Sequence, residues 1–532
     1  MKIQSTVAFL ASALAAFARA QQVGTNQAEV HPVLQTQTCT KAGGCSTQNT
    51  KIVLDSNWRW LHQVGNYTAC RDNSGNWDKS VCADGVSCAK NCAYEGVDYK
   101  ASGITASGQT LSFELNKRLY LLEDDNNYKL FKLLNQEFSF DIDLSQAGCN
   151  SDAGIYFVEM DKTGGRSATN TAGATYGTGY CDAQCGEGAP FVNGAANLNA
   201  NIGTCCTEMD ILEGNSVSSS FTSHPCNKPG VHFCTTPQDC GDGNFHYQGT
   251  CDRDGFGINP WAMNNHTFYG PDASFTLDSS KPHTVVTQFI TDDNTASGKL
   301  VEIKRFFVQN GKKIDHPNAN WPGISPGTNS ITDKSCAESK KVFNSVNDHA
   351  AKGGLATMGE ALRRGLVLVF SSWTGQLDWL DGQIAGKDPN QPGGSMGPCP
   401  ANGPVPTVAP VTFSNLRVGD FGTTTGLPSN PTPTPSTTKA TTSAPTTKPT
   451  SAPTTAKPTT APTTKTPTAK PTTAPTTAPT TAKPPATTSA PSSGTVGAYG
   501  QCGGSGYTGP TACIPGYTCH VYTQYYSQCI AN

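Results

Sequence analysis

From residue 21 to residue 422 apolar and polar positions alternate in short runs. The clearest is Phe138-Ser139-Phe140-Asp141-Ile142-Asp143-Leu144, with every second residue apolar. Alternation of this kind marks a strand with one face in a core and one in water. Further β-branched and aromatic runs lie at 51–55, 111–113, 118–122, 137–144, 155–160, 283–289, 300–307, 365–370 and 411–417. Clusters of Gly, Asn, Asp and Ser separate them, as turns require. No long stretch repeats every 3.6 residues, and one helix is predicted, at 352–364. So many strands in one continuous block predict an all-β domain built as a large two-sheet sandwich.

One stretch within that block is dense in acids: Cys205-Cys206-Thr207-Glu208-Met209-Asp210-Ile211-Leu212-Glu213-Gly214-Asn215-Ser216. On a strand, successive side chains point to opposite faces. Glu208 and Asp210 therefore share a face. Glu213 is an odd step from both and points away unless one extra residue is inserted. A β-bulge inserts one, and bulges are frequent beside active sites. A bulge near Leu212 is predicted, turning Glu213 beside Glu208. Two carboxyl groups so paired fit retaining glycoside hydrolysis, which needs an ionised attacker and a protonated donor about 5–5.5 Å apart. Crowding of like charges raises at least one pKa and keeps the donor protonated. Spacing alone equally allows a solvated acidic strand edge or a calcium site.

Composition says where such a site would work. Residues 1–20 combine a positive start, Met1-Lys2, an apolar run at 7–18 and a small-x-small ending, Ala18-Arg19-Ala20. The run is too short to span a bilayer, and the pattern is that of a secretory signal peptide cut before Gln21. The 21 cysteines fit an oxidising, extracellular setting. The formal net charge of −3 argues against nucleic acid or an anionic membrane as partner. Asn66-Tyr67-Thr68 and Asn265-His266-Thr267 are N-glycosylation acceptors, at Asn66 and Asn265. Residues 423–496 collapse to Thr, Pro, Ala, Ser and Lys. Such a stretch cannot form a core and reads as an O-glycosylated stalk, with a reach on the order of 200 Å at ~3.1 Å per residue. Residues 497–532 form a separate unit, too small to fold without staples. It carries Cys502, Cys513, Cys519 and Cys529, leaving an odd number of cysteines in the large domain. No metal or other cofactor is expected. The pairs Cys88/Cys92 and Cys181/Cys185 lack zinc-ligand spacing, and secretion favours disulfides. His224 taken alone reads as a structural histidine near a turn.

The wording of the acidic stretch adds to its spacing. Glu208-Met209-Asp210-Ile211-Leu212-Glu213-Gly214-Asn215-Ser216 resembles the catalytic strand of glycoside hydrolase family 7, the fungal cellulases. The resemblance covers about residues 21–422. It includes Ser56-Asn57-Trp58-Arg59-Trp60, Glu95-Gly96-Val97-Asp98-Tyr99, Asn170-Thr171-Ala172-Gly173-Ala174 and Tyr176-Gly177-Thr178-Gly179-Tyr180-Cys181-Asp182-Ala183-Gln184-Cys185. It implies a concanavalin-like jelly-roll sandwich with a long substrate cleft, acting as a monomer on cellulose and soluble β-glucans with retention. Matched by position, Glu208 is the nucleophile, Glu213 the acid/base and Asp210 the group that orients Glu208, with His224 supporting. Trp58, Trp60, Trp373 and Trp379 match sugar-stacking platforms; Trp58 and Trp60, two apart on one expected strand, would share a face. Tyr156, Asp182 and Gln184 match positions that hydrogen-bond the sugar beside the nucleophile. The implied disulfides are Cys39–Cys45, Cys70–Cys92, Cys82–Cys88, Cys149–Cys399, Cys181–Cys206, Cys185–Cys205, Cys226–Cys251 and Cys234–Cys240. Cys336 is left free, because Phe256 stands where its partner does in relatives.

The family holds two activities. Chain-end enzymes roof the groove with long loops, whereas endoglucanases leave it open. Here the segment after Leu111 runs almost directly to Arg118, and the connection from Cys185 to Cys205 is short. Leu212-Glu213-Gly214 and Gly353-Gly354-Leu355-Ala356-Thr357-Met358-Gly359 follow endoglucanase wording. The insertion at 234–251 is retained, as in exo enzymes. Yet His246 and Met396 stand where exo enzymes carry arginines that grip the product, and loss of such charge-assisted donors weakens holding. The expected activity is therefore endo, with a cellobiohydrolase as the alternative. The tail resembles the fungal family 1 cellulose-binding module through Tyr499-Gly500-Gln501-Cys502-Gly503-Gly504 and Tyr525-Tyr526-Ser527-Gln528-Cys529. That resemblance implies bridges Cys502–Cys519 and Cys513–Cys529. It also implies a cellulose-facing row of Tyr499, Tyr525 and Tyr526 beside Gln528.

Overall fold

The computed structural model describes residues 21–72, 75–407, 409–427, 494–496, 501–503, 509–523 and 526–531. The expected signal peptide, most of the Thr/Pro stretch, Tyr499 and Tyr525 lie outside the described residues. Strand outweighs helix, 38% to 12%, as the alternating pattern requires.

The strands that position the site are β1 Val33–Thr40, β2 Gly44–Leu54, β3 Lys117–Asp124, β4 Glu137–Asp143, β5 Ser151–Val158, β6 Glu208–Gly214, β7 Ser219–His224, β8 Phe256–Ile258, β9 His283–Thr291, β10 Leu300–Gln309, β11 Leu366–Thr374 and β12 Val411–Gly419. Pairing order gives two layers. One runs β8–β7–β6–β5–β11–β3–β2. The other runs β10–β9–β4–β12. β1 closes one edge, antiparallel to β2 and parallel to β12.

Side-chain alternation fills the space between the layers. Ile155 and Phe157 of β5, Leu366, Leu368 and Phe370 of β11, and Leu119 and Leu121 of β3 join Phe138, Phe140 and Ile142 of β4 in one core. Their neighbours in sequence, Tyr156, Val158, Val367, Val369, Tyr120 and Leu122, pack in a second cluster on the opposite face of the first layer. That layer is covered on both sides, so all eight residues of β5 are buried. Burial of apolar area on this scale, at about 25 cal/mol per Å², is what holds the two layers together.

The two longest helices among the described residues are α1 Asp333–Val342 and α2 Gly354–Arg364. α2 falls where the 352–364 pattern predicts it. α1 escaped that pattern because it is mostly polar; a capping box between Thr332 and Ser335 starts it. Among the described residues no helix is long and apolar enough to cross a membrane.

Disulfides staple the large domain at Cys39–Cys45, Cys70–Cys92, Cys82–Cys88, Cys149–Cys399, Cys181–Cys206, Cys185–Cys205, Cys226–Cys251 and Cys234–Cys240. Cys336 is free and buried, and its thiol donates to Asn347 Oδ1 at 3.3 Å. In the tail, strands Gln501–Gly503, Tyr517–Thr523 and Tyr526–Ala531 form one small sheet. Cys502–Cys519 cross-links two of its strands, and Cys513–Cys529 ties it to the short strand Ala512–Cys513. Tyr526 and Gln528 belong to its last strand.

Candidate active site

β6 carries the three acids, and its ladder is irregular where the acids need it to be. Against β7, Asp210 pairs with Thr222 while Glu213 pairs with Ser220, so three steps on one strand match two on the other. Against β5, Ile155 pairs with Leu212 and Tyr156 with Asp210, leaving Ile211 opposite nothing. Met209, Ile211 and Leu212 all enter the core between the layers. Two consecutive residues thus face inward, and Glu213 comes out on the face that already holds Glu208 and Asp210. The bulge sits at Ile211–Leu212.

What holds the bulge was not legible in the strand itself. A bulge leaves a main-chain carbonyl without a ladder partner. Arg305, on β10 of the other layer, is fully buried. Its Nη1 donates to Ile211 O at 3.2 Å and to Ser220 O at 2.9 Å, and its Nη2 to Ser219 Oγ at 3.2 Å. The guanidinium lies between the rings of Phe221 and Phe307, 4.4 and 5.1 Å from their centroids. Among the described residues no carboxylate pairs with it, and burial pulls its pKa down to about 9. In the sequence Arg305 was one of four polar positions in its strand, beside Glu302, Lys304 and Gln309. Only its cross-layer contacts reveal its role.

The nucleophile candidate is held from two sides. Glu208 is buried, and its Oε2 accepts the Ala183 N–H at 3.0 Å. Ala183 lies in the segment that Cys181–Cys206 and Cys185–Cys205 clamp to the start of β6. His224 stands opposite Glu208 on β7. Its Nε2 meets Asp210 Oδ2 at 3.0 Å and its Nδ1 meets Asp252 O at 2.9 Å. Both partners are acceptors, so both ring nitrogens donate and the ring is an imidazolium. Burial alone would lower its pKa, but the contact with Asp210, with the nearby charges of Glu208 and Asp252, outweighs burial and lifts it to about 10. Gly255 makes room for this ring, since a Cβ there would lie 2.6 Å from His224 Cε1.

Charge divides the two glutamates. Burial, then Asp210, push the pKa of each well above the usual carboxylate range. For Glu208, Asp182 adds to the push, while the His224 cation and the Ala183 N–H pull back towards ionisation. Nothing pulls Glu213 back; Asp152 and Glu208 push it further. The His224 cation and the Ala183 N–H thus favour the ionised form of Glu208, and no comparable partner does so at Glu213. Glu208 and Asp210 are buried, and Glu213 is mostly buried with some exposure left.

Asp152 was missed by the sequence reading. It lies on β5, is buried, and its Oδ1 accepts the Gly214 N–H at 2.8 Å, one residue beyond Glu213. Burial, with Asp210 and Asp381 nearby, raises its pKa to about 8. Nothing in its local sequence, Asn150-Ser151-Asp152-Ala153, singles it out.

The remaining candidates divide. Tyr156 opposes Asp210 across the β5–β6 ladder, and its hydroxyl is 3.1 Å from that of Tyr180. Asp182 accepts the Gly186 N–H at 3.3 Å; burial raises its pKa, and its charge in turn acts on Glu208. Gln184 is exposed and donates to Arg253 O at 3.4 Å. Trp379 is also exposed, on the short helix Asp378–Asp381. The expectation that Trp58 and Trp60 share one strand face is corrected. Ser56–Trp58 is a 3-10 turn, which Asp55 caps by accepting the Asn57 N–H at 2.7 Å. Trp58 turns towards Trp373, at 5.8 Å between ring centroids, and Trp60 towards His62 and Tyr67. Arg118, paired with Asp55 at 2.8 Å, lies over the Tyr180 ring and within 5.5 Å of Trp58. Cysteine groups close enough to bind a metal, such as Cys82, Cys88 and Cys92, are already joined in disulfides.

A family model described as glycosyl hydrolase family 7 matches residues 23–425. The chain belongs to glycosyl hydrolase family 7. A second model, the fungal cellulose binding domain, matches residues 498–526, so the family 7 domain carries a cellulose-binding tail. Solved structures of the family align with this chain. A family 7 cellobiohydrolase from Daphnia pulex is 40% identical with a TM-score of 0.73, covering 75% of this chain and 99% of its own. The endocellulase EGI of Humicola insolens is 37% identical with a TM-score of 0.67, covering 76% and 100%. A cellobiohydrolase from Melanocarpus albomyces, solved with cellotetraose, is 35% identical with a TM-score of 0.70, covering 75% and 99%.

Proposed function

We propose that this family 7 cellulase is a secreted endo-β-1,4-glucanase that cleaves internal bonds of cellulose and related β-glucans with retention. The observation that carries the reading is the bulge at Ile211–Leu212, which sets a proton-holding Glu213 on the same face as an ionisable Glu208. Glu208 attacks the anomeric carbon while Glu213 protonates the leaving oxygen. Glu213 then takes a proton from water, which releases the sugar with its β configuration kept. Asp210, joined to the imidazolium of His224, fixes the carboxylate beside it without competing for the reacting proton. A neutral Glu213 implies an acidic optimum.

Endo action is supported by the tight connection between Thr110–Phe113 and β3, by the short Cys185–Cys205 segment, and by His246 and Met396 in place of product-gripping arginines. His246 is occupied by Asp254, 2.7 Å away. The second reading, chain-end cellobiohydrolase, draws support from the retained 234–251 insertion and from the cellobiohydrolases among the similar structures. Carboxymethyl cellulose separates them. Endo action drops solution viscosity early, with few new reducing ends. Reducing ends that accumulate in step with slow thinning would exclude it. The cysteine content and residues 1–20 support export. The 423–496 stalk, with O-linked sugars, would tether the domain to a cellulose surface. N-linked glycans at Asn66 and Asn265 belong to the same reading.

A further inference from the structure

Behind His224 lies a buried ammonium group that the mechanism above does not use. Lys340, on α1, is buried, and its Nζ donates to Gly255 O at 2.6 Å. Among the described residues no carboxylate forms an ion pair with it, whereas the buried Lys352 has Asp348 at 3.2 Å. Taking an ammonium out of water for one carbonyl is costly, and a methionine would fill the same space without that cost. What the lysine holds is the loop 252–255. Asp252 opens the loop; its main-chain oxygen meets the His224 ring, and its Oδ1 accepts the Gly255 N–H at 3.1 Å. This end is fixed to β7, because the Asp252 N–H donates to Pro225 O at 3.0 Å and Cys251 is bridged to Cys226. Gly255 closes the loop at φ +63° and leaves the gap that the His224 ring fills. There, before the ladder of β8 begins, Gly255 O goes to Lys340. No disulfide ties α1 to the loop, since Cys336, one turn before Lys340, is free.

The charged groups around the ring come from every side. Glu208 and Asp210 face it from β6, and Asp252 from the loop. His349, on the short helix Asp348–Ala351, lies behind β7, with its Nε2 3.0 Å from Ser223 Oγ. Burial, with the charges of Lys340 and His224, holds the pKa of His349 down to about 3, so it stays neutral. Lys340 is therefore the cation that acts on the loop from behind. Burial raises the pKa of Asp252; the charges of His224 and Lys340 pull it back, while Asp348 pushes it further. An ionised Asp252 in turn favours the imidazolium. We infer that Lys340 is a positioning residue for His224: by holding Gly255 O it keeps the loop 252–255 against the ring, and so keeps His224 where its charge favours ionised Glu208. This inference rests on the proposed function and deepens it, adding a residue that never meets the sugar.

The test follows kcat/KM against pH in the full chain, on an aryl β-cellobioside with a good leaving group. Such a substrate needs no proton from Glu213, so the acidic limb reports the ionisation of Glu208. In Lys340→Met the limb is expected to move to higher pH by about half a unit, in the direction of His224→Ala but by less. The rate at the optimum is expected to fall about three- to tenfold. Lys340→Arg, which keeps a charge and a donor, is expected to restore the limb. Lys340→Gln is neutral and one atom too short to reach Gly255 O. It is expected to move the limb as Lys340→Met does, and it takes the place of that variant if circular dichroism shows Lys340→Met unfolded. A folded variant of either kind with an unmoved limb overturns the inference, whatever its rate. Unfolding of both also overturns it, because Lys340 is then ordinary core support. His224→Ala is the control. If it leaves the limb in place, the reading of His224 itself fails; if it moves the limb and the Lys340 variants do not, only the assignment of Lys340 falls.

Discussion

Replacing Arg305 with Met isolates the device that turns Glu213 round. Met keeps the length and apolar stem of the side chain and removes its charge and donors. The pKa of the buried guanidinium falls from 12.5 to about 9. At about 1.4 kcal/mol per pH unit, the substitution relieves on the order of 5 kcal/mol of charge burial. It also strands Ile211 O and Ser220 O, each costing about 1–3 kcal/mol unpaired, and forfeits the contact with Phe221, worth about 1–2 kcal/mol. These terms nearly cancel, so the melting temperature should move by only a few degrees. Catalysis has no such compensation. With the carbonyl of the bulge released, Glu213 loses its fixed approach, and a displacement of about 1 Å costs roughly a hundredfold in rate. The assay compares aryl β-cellobiosides with poor and good leaving groups. A poor leaving group needs the proton from Glu213, so kcat should fall roughly a hundredfold; a good one does not, and the loss should shrink. Arg305→Lys, which can still donate to both carbonyls, should recover part of the rate. A loss of equal size for both leaving groups, or a variant that simply unfolds, would show Arg305 to be ordinary core support.

Three further outcomes follow from the same geometry. Glu208→Gln and Glu213→Gln should each cut turnover on cellulose by about a hundredfold or more while binding persists, and near-native activity in either would refute the assignment. His224→Ala removes the cation that favours ionised Glu208, so the acidic limb of the rate profile should move to higher pH; an unmoved limb would mean the imidazolium does not act on Glu208. Asp152→Asn keeps an acceptor for the Gly214 N–H and removes a carboxyl whose folded pKa, about 8, exceeds its ordinary 3.8. A raised folded pKa gives stability that is complete below the unfolded pKa and lost as pH rises through the folded one. The variant should therefore match the parent near pH 4 and gain on it up to about pH 8, by roughly 1–2 °C in melting temperature per pH unit. A constant difference across that range would show that Asp152 does not carry the proton.

The order of residues was enough, alone, to place strands, turns and the clustering of Glu208, Asp210 and Glu213, because alternation and turn chemistry act between neighbours a few positions apart. The need for a bulge was also legible there, since parity puts Glu213 on the wrong face. The sequence failed at Trp58 and Trp60 because a single side chain, Asp55, caps a 3-10 turn and breaks the strand rule that would have aligned them. Tertiary structure decided the rest. Arg305 comes from another layer to fill the carbonyl that the bulge leaves open, Asp152 reaches Gly214 across a ladder, and the main-chain oxygen of Asp252 holds the His224 ring from its far side. Contacts between residues far apart in the chain leave no local pattern, and the low dielectric that makes these charges matter exists only once the layers have closed.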